Sequence, residues 1–343
     1  MYHLVLTACL AADPSICADR LIGGTASDGP DCGVAYRQTW AAAHPELVVS
    51  GARCVAQADL PALTLTQIAP DIWISRGADA APDRRNRGRI ANLGVVIGET
   101  VTVIDPGGSR AEGEALYAAI ANLTDKPVNH VILTHMHPDH SLGAAVFAEA
   151  DAALIAGEGY SAAISAAATT YLGSYAEMTG AAEQIGSRII APDGEIASRD
   201  QIGPLQLIKA PLAHTSNDLM VLDTASGTLF TGDLIFRDLT PSIDGSLHGW
   251  LAFLDDLTAT EATLIVPGHG APMEDASAMI GPLRDYLSAL ETHTRAAIAQ
   301  GLSITQAVPV VMAQMAPLRG VWRGFDETTE RNILTAYQEL EWD

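Results

Sequence analysis

The run Thr134-His135-Met136-His137-Pro138-Asp139-His140 constrains this chain more than any other stretch. It follows an apolar strand expected over residues 130–133 and precedes a helix expected over 142–150. Four side chains of the metal-binding type are thus delivered to the end of a buried strand, where α/β sheets build their sites. On an extended loop His135 and His137 point the same way and can close on one metal ion. Asp139 and His140 turn the other way and can hold a second. Imidazole with carboxylate suits zinc, and also iron or manganese. A lone histidine is more often a hydrogen-bonded core or surface residue, and that reading covers His3, His44, His130 and His293. It fails for the cluster, where four such groups beside a buried strand are costly without partners.

Three further donors stand at strand ends. His214 lies in Ala213-His214-Thr215-Ser216-Asn217-Asp218, after a strand expected over 205–210. Asp233 ends Phe230-Thr231-Gly232-Asp233, and His269 sits in Val266-Pro267-Gly268-His269-Gly270. Each is weak alone; their order after the histidine run makes the joint signal strong. Other strands are expected over 68–75, 93–97, 101–104, 152–155, 218–223, 228–231 and 263–266. Helices are expected over 111–122, 158–186, 276–300 and 326–340, with 258–262 leading into the strand at 263. Several neighbouring strands are hairpin-linked, so the expected fold is α/β layers around a mixed sheet.

The four cysteines, Cys9, Cys17, Cys32 and Cys54, crowd the first sixth of the chain. Their spacings match neither a zinc finger nor a redox CxxC. Two disulfides stapling an N-terminal module of residues 1–60 fit better, and imply an oxidising compartment. Four cysteines allow three pairings. Strands are expected over 3–10 and 46–55, and pairing them brings Cys9 toward Cys54. Cys17 with Cys32 then closes the turn-rich segment between. The first residues carry an apolar stretch without a basic start, so the chain is expected to be a mature or trimmed form. The net charge of −22 argues against nucleic acid and anionic membrane as partners. No run is long and apolar enough to span a membrane.

The order HxHxDH, His, Gly-Asp, Gly-His resembles the metallo-β-lactamase superfamily, an αββα sandwich of hydrolases, over roughly residues 65–270. Closer still is the resemblance to the quinoprotein relay system zinc metallohydrolases, periplasmic proteins with a Cys-containing N-terminal segment. It is carried by residues 3–7 (HLVLT), 86–92 (NRGRIAN), 244–247 (DGSL), 249–251 (GWL) and 339–342 (ELEW). The resemblance implies a catalytic domain over 61–343 with C-terminal capping helices. It also implies two zinc ions. His135, His137 and His214 would hold the first, Asp139, His140 and His269 the second, and Asp233 would bridge them. Asp105 matches the superfamily's buried aspartate that orients the metal loop. Zinc β-lactamases of one major class carry Cys at the place of Asp233, which weighs against a dedicated β-lactamase.

The reaction so implied is hydrolysis of a small ester, thioester, lactone or amide, with Asp139 orienting the attacking water and relaying its proton. Arg84, Arg85, Arg87 and Arg89 form a basic loop that can attract an anionic group. Arg87, Asn92 and His248 are the candidate substrate contacts, with Asp244 and Trp250 beside His248. A mononuclear iron sulfur dioxygenase and a non-catalytic metal-bearing component of a quinoprotein dehydrogenase system are the alternative readings.

Overall fold

The computed structural model describes residues 1–29, 32–33, 35–257 and 262–342. The chain forms two compact units. One comprises Met1–Arg76, Pro82–Ala156 and Ser161–Glu195, the other Gly77–Ala81, Gly157–Tyr160 and Ile196–Asp343. Residues 1–60 therefore share a unit with the histidine run. The expected lead-in at 258–262 falls mostly outside the described residues.

In the first unit β1 (Tyr2–Leu10) lies between β2 (Cys17–Leu21) and β3 (Leu47–Ala56), with α1 (Tyr36–Ala43) before β3. One face of this sheet is apolar: Leu4, Leu6 and Ala8 are fully buried and pack with Ile22 and Trp40. The expected pairing of the first and last strands is present, but its register corrects the disulfides. The antiparallel ladder sets Cys9 opposite Val48 and Cys54 opposite Leu4. Cys9 instead meets Cys17 directly across the β1–β2 hairpin. The bonds are Cys9–Cys17 and Cys32–Cys54, not Cys9–Cys54 and Cys17–Cys32. The segment expected to be turn-rich contains β2, and a staple across its hairpin needs only neighbouring strands.

The same unit holds a seven-stranded sheet, ordered β10-β9-β8-β7-β6-β5-β4. Its strands are β4 (Thr66–Ala69), β5 (Ile72–Ser75), β6 (Leu93–Ile97), β7 (Val101–Ile104), β8 (Val128–Leu133), β9 (Ala153–Gly157) and β10 (Gly194–Ile196). The single strand expected over 68–75 is a hairpin, β4–β5. Pro70-Asp71 makes its turn, and Asp71 takes a left-handed φ of 59°. The helices are α2 (Arg110–Leu123), α3 (Pro138–Ser141), α4 (Ala145–Glu149), α5 (Tyr160–Thr179) and α6 (Ala181–Gln184). The helix expected over 142–150 is broken at Gly143. A Cβ there would stand 2.1 Å from the Pro106 carbonyl oxygen.

The second unit carries a five-stranded sheet in sequence order: β11 (Arg199–Ile202), β12 (Leu205–Lys209), β13 (Leu219–Asp223), β14 (Thr228–Phe236) and β15 (Leu264–His269). Only β14 and β15 run parallel. Around it lie α7 (Leu247–Leu257), α8 (Ala276–Ala299), α9 (Ile304–Met315) and α10 (Phe325–Leu340). The core joins Trp250, Leu254, Leu283, Tyr286, Leu290, Val311 and Ile333, all fully buried. Helix α9 was not expected. Its β-branched run and Pro309 hide a helical period, although Ser303 and Gln306 form a capping box at its start.

One buried ion network fastens the N-terminal sheet to α2 and α4. Arg110, fully buried, gives Nε to Glu114 at 2.7 Å and both terminal nitrogens to Glu149 at 2.8 Å, and donates to the Leu21 carbonyl at 2.8 Å. Trp40 Nε1 donates to Glu149 at 2.8 Å, and the guanidinium lies over the Trp40 ring. Burial opposes charge on Glu149, but Arg110 outweighs it and holds the carboxyl below its ordinary range. A bidentate pair of this kind is unforgiving when one member is removed. Glu149→Gln is expected to lower stability by about 3–5 kcal/mol in urea unfolding.

His3 and His44 are also buried in this unit. His44 Nδ1 donates to the Trp40 carbonyl at 2.8 Å and its ring stacks on Trp40. Burial is the main cause that lowers both pKa values from the ordinary 6.5. A histidine kept neutral in the fold gains a proton on unfolding below that value. Stability therefore falls as pH drops through 6.5. Melting curves across this range test it, and the double variant His3→Gln, His44→Gln is expected to flatten the slope.

Candidate metal centre

Strands β7 and β8 run parallel and end together, Ile104 opposite Ile132. Asp105 leaves β7 with φ at 58°, a costly conformation for a non-glycine residue. Its amide donates to the Ile132 carbonyl at 2.9 Å. The turn aims its carboxylate under the histidine loop. It accepts from Thr134 N at 2.8 Å, from Thr134 Oγ1 at 2.7 Å and from His140 Nδ1 at 2.7 Å. Burial raises the Asp105 pKa, and the neighbouring His140 and these hydrogen bonds work against it.

These bonds set the histidine tautomers. His140 donates from Nδ1, so its Nε2 carries the lone pair, and Nε2 stands 3.4 Å from Asp139 Oδ2. Thr134 Oγ1 spends its proton on Asp105 and so accepts from His135 Nδ1 at 3.1 Å. His135 Nε2 then faces His137 Nδ1 at 3.1 Å. Tyr171 of α5 stands beside His137, with ring centroids 6.3 Å apart.

Beneath this loop lies a carboxylate that the sequence reading missed. Glu112 is buried, and its Oε2 accepts from Gly108 N at 2.8 Å. Burial is the main cause pushing its pKa up to about 8. Its signal was the pattern Ser109-x-x-Glu112, since Ser109 Oγ caps α2 by accepting from Glu112 N. Gly107 and Gly108 have no room for a side chain. A Cβ on Gly107 would press on Glu112, and one on Gly108 would stand 3.1 Å from the Asp139 Cα.

The second unit presents three donors. Asp233 lies within β14 and His269 ends the parallel β15. His214 follows β12, in a loop tied by Asp218, which accepts from Thr215 N at 2.8 Å and Thr215 Oγ1 at 2.6 Å. His214 donates from Nδ1 to the Ser242 carbonyl at 2.7 Å, so its Nε2 carries the lone pair. That nitrogen is 3.5 Å from Asp233 Oδ2, and His269 Nε2 is 3.4 Å from the same oxygen. Gly268 leaves room for this carboxylate: a Cβ there would stand 1.9 Å from Asp233 Oδ1. Phe236 stacks on His269, and Trp250 lies edge-on to His214.

The donor set fits a cation. In each unit an imidazole lone pair faces a carboxylate oxygen: His140 toward Asp139, His214 toward Asp233. Two acceptors that face each other repel unless a proton or a metal ion lies between them. Nitrogen and carboxylate donors of this kind suit zinc. Hydrogen-bonding His140 and His214 through their other nitrogen is the arrangement by which proteins aim histidine ligands.

The remaining sequence candidates fall in other surroundings. Arg87, exposed at φ 57°, stands 3.6 Å from Glu183. Asn92 is buried at the start of β6. His248, on α7, has Nε2 2.8 Å from Glu291 and 2.6 Å from Arg295. Asp244 donates its amide to the His214 carbonyl at 3.0 Å, and Trp250 Nε1 donates to the Leu234 carbonyl.

Asp105→Ala leaves three buried donors without their acceptor. It is expected to cost about 2–4 kcal/mol in denaturant unfolding of the metal-stripped protein, and Asp105→Asn less.

Known proteins resemble the chain in both sequence pattern and fold. The family model of the metallo-β-lactamase superfamily matches residues 86–269, more than half of the chain. Among solved structures, the stereoselective inverting sec-alkylsulfatase Pisa1 from a Pseudomonas species superposes with a TM-score of 0.62 at 17% identity. The match covers 83% of this chain and 51% of that one, so the chain spans about half the length of the alkylsulfatase. FIM-1, a metallo-β-lactamase from Pseudomonas aeruginosa in its mono-zinc form, gives a TM-score of 0.53 at 17% identity, over 68% of this chain and 98% of that one. A metallo-β-lactamase from Hirschia baltica gives 0.51 at 17% identity, over 66% and 98%. At such identities these structures share the fold alone. A comparison with curated protein sequences gives no match. The family match, which contains every one of the histidine and aspartate donors, gives the conclusion: the chain belongs to the metallo-β-lactamase superfamily.

Proposed function

We propose that the chain is a dinuclear zinc hydrolase. His135, His137 and His214 would hold one ion, Asp139, His140 and His269 the other, and Asp233 would bridge them. The observation that carries this reading is the pair of imidazole nitrogens, on His140 and His214, set against carboxylate oxygens at 3.4 and 3.5 Å. The position of Asp233 Oδ2 between two histidine nitrogens supports a bridging role. When bound, the metals would supply Lewis acidity and an activated water near neutral pH.

The protein's own part follows from its hydrogen bonds. Asp105 fixes the His140 tautomer and, through Thr134, that of His135. Asp139 orients the attacking water and carries its proton to the leaving group. Tyr171 offers an aromatic surface beside His137. The substrate is a small ester, thioester, lactone or amide; sulfate esters enter the tested set because an alkylsulfatase shares the fold. The two disulfides support an oxidising compartment, which we take to be the periplasm. The partner system, a quinoprotein dehydrogenase, rests on the sequence resemblance.

The test is turnover across a panel of these substrates, β-lactams included. The zinc-loaded protein is expected to hydrolyse at least one, chelation to abolish it and zinc to restore it. Asp139→Ala is expected to lower kcat about 10²–10⁴-fold. Inactivity of the zinc-loaded protein across the panel would favour a binding role. Oxygen uptake on persulfides by an iron-loaded form would favour the dioxygenase.

A further inference from the structure

Apart from these donors, the first unit contains a cavity of about 350 Å³ where the N-terminal sheet meets α2. This is the size range of small-molecule sites. Its apolar wall is a small hydrophobic cluster of its own: Val5 from β1, Leu21 from β2 and Leu60, all buried. Ala111 and Ala115 of α2 also line it, and their small side chains keep it open.

The polar wall holds four arginines, Arg20, Arg53, Arg87 and Arg89. Three are matched to carboxylates: Arg20 to Glu114 at 3.1 Å, Arg53 to Asp19 at 2.7 Å and Arg87 to Glu183 at 3.6 Å. Arg89 is half-buried, and no carboxylate among the described residues comes within 4.0 Å of it. Its Nε is buried and makes no hydrogen bond. The Arg89 charge reaches the buried Glu112 carboxyl only through space. A half-buried guanidinium with an unpartnered Nε and no carboxylate at ion-pair distance, beside an apolar wall, calls for a single negative charge on an apolar body. A dianion fits less well, because four carboxylates already share the wall.

We propose that this cavity is a second ligand site, which binds a small apolar monocarboxylate through Arg89. The basic loop at 84–89 thereby gains a ligand separate from the metal donors. The loop packs against the bare backbone of Gly108: the Gly88 carbonyl oxygen lies 3.2 Å from where a side chain there would begin.

The probe is phenylacetate, titrated calorimetrically into the metal-loaded protein and again after chelator treatment, with phenylacetamide as the uncharged control. Phenylacetate is expected to bind in both forms, and the amide at least about tenfold more weakly. Arg89→Gln is expected to weaken phenylacetate by about 10–100-fold, the worth of a charged hydrogen bond. Ala111→Phe fills the cavity and is expected to abolish binding; a melting curve for each variant shows that the fold is kept. Three results would overturn the proposal: no binding at millimolar phenylacetate, equal affinity for acid and amide, or affinity unchanged in Arg89→Gln. Binding that disappears with the metal would also overturn it, since the carboxylate would then sit at the metal donors.

Discussion

The Asp105 carboxylate accepts three hydrogen bonds in a place closed to solvent, and the histidine loop takes its shape from them. β7 and β8 must run parallel and end level for Asp105 to reach Thr134. The chain must accept a left-handed aspartate to turn there. The glycines at 107 and 108 must stay bare so that Glu112 and the Asp139 backbone can pack close. What this secures is the proton on His140 Nδ1 and the one on His135 Nδ1, which turn the opposite nitrogens into electron-pair donors. The second unit solves the same problem differently: a backbone carbonyl, that of Ser242, fixes His214.

The donors were legible because their chemistry is local. A histidine run after an apolar strand needs no tertiary knowledge; His214 follows β12 and His269 ends β15 as expected, while Asp233, expected at a strand end, lies within the longer β14. The disulfides were not legible for the opposite reason. Composition shows that the cysteines form a module, but which pairs bond depends on strand register. A hidden strand at Cys17–Leu21 decided it. The Arg110 network was equally hidden. On sequence, an arginine at a helix start is an ordinary surface residue, and its carboxylate on α4 lies 39 positions away. Glu112 had a signal, the capping pattern, but that pattern points to a helix start and not to the burial that raises its pKa.

The N-terminal sheet is part of the same physical unit as the histidine loop. Arg110 and Glu149 tie Leu21, Gly23 and Trp40 to helices that flank the loop. Around the buried pair the polar atoms are satisfied from several elements, the condition under which such a pair is tolerated. One disulfide staples the β1–β2 hairpin, and the other lies in the sheet's apolar core, where Cys32 is buried with Leu4 and Trp40. The net charge of −22 coexists with a local surplus of arginine at 84–89, so the basic loop acts at short range.

The proposed role of the metal ions is to separate the carboxylates and imidazoles that face each other. The most direct measurement is the metal content per chain of the purified protein, read together with X-ray absorption at the metal edge. Two zinc ions per chain are expected, ligated by nitrogen and oxygen without sulfur, with one ion weakened in His140→Ala. A protein that takes up no metal at micromolar zinc, or one with sulfur in the coordination sphere, would contradict it.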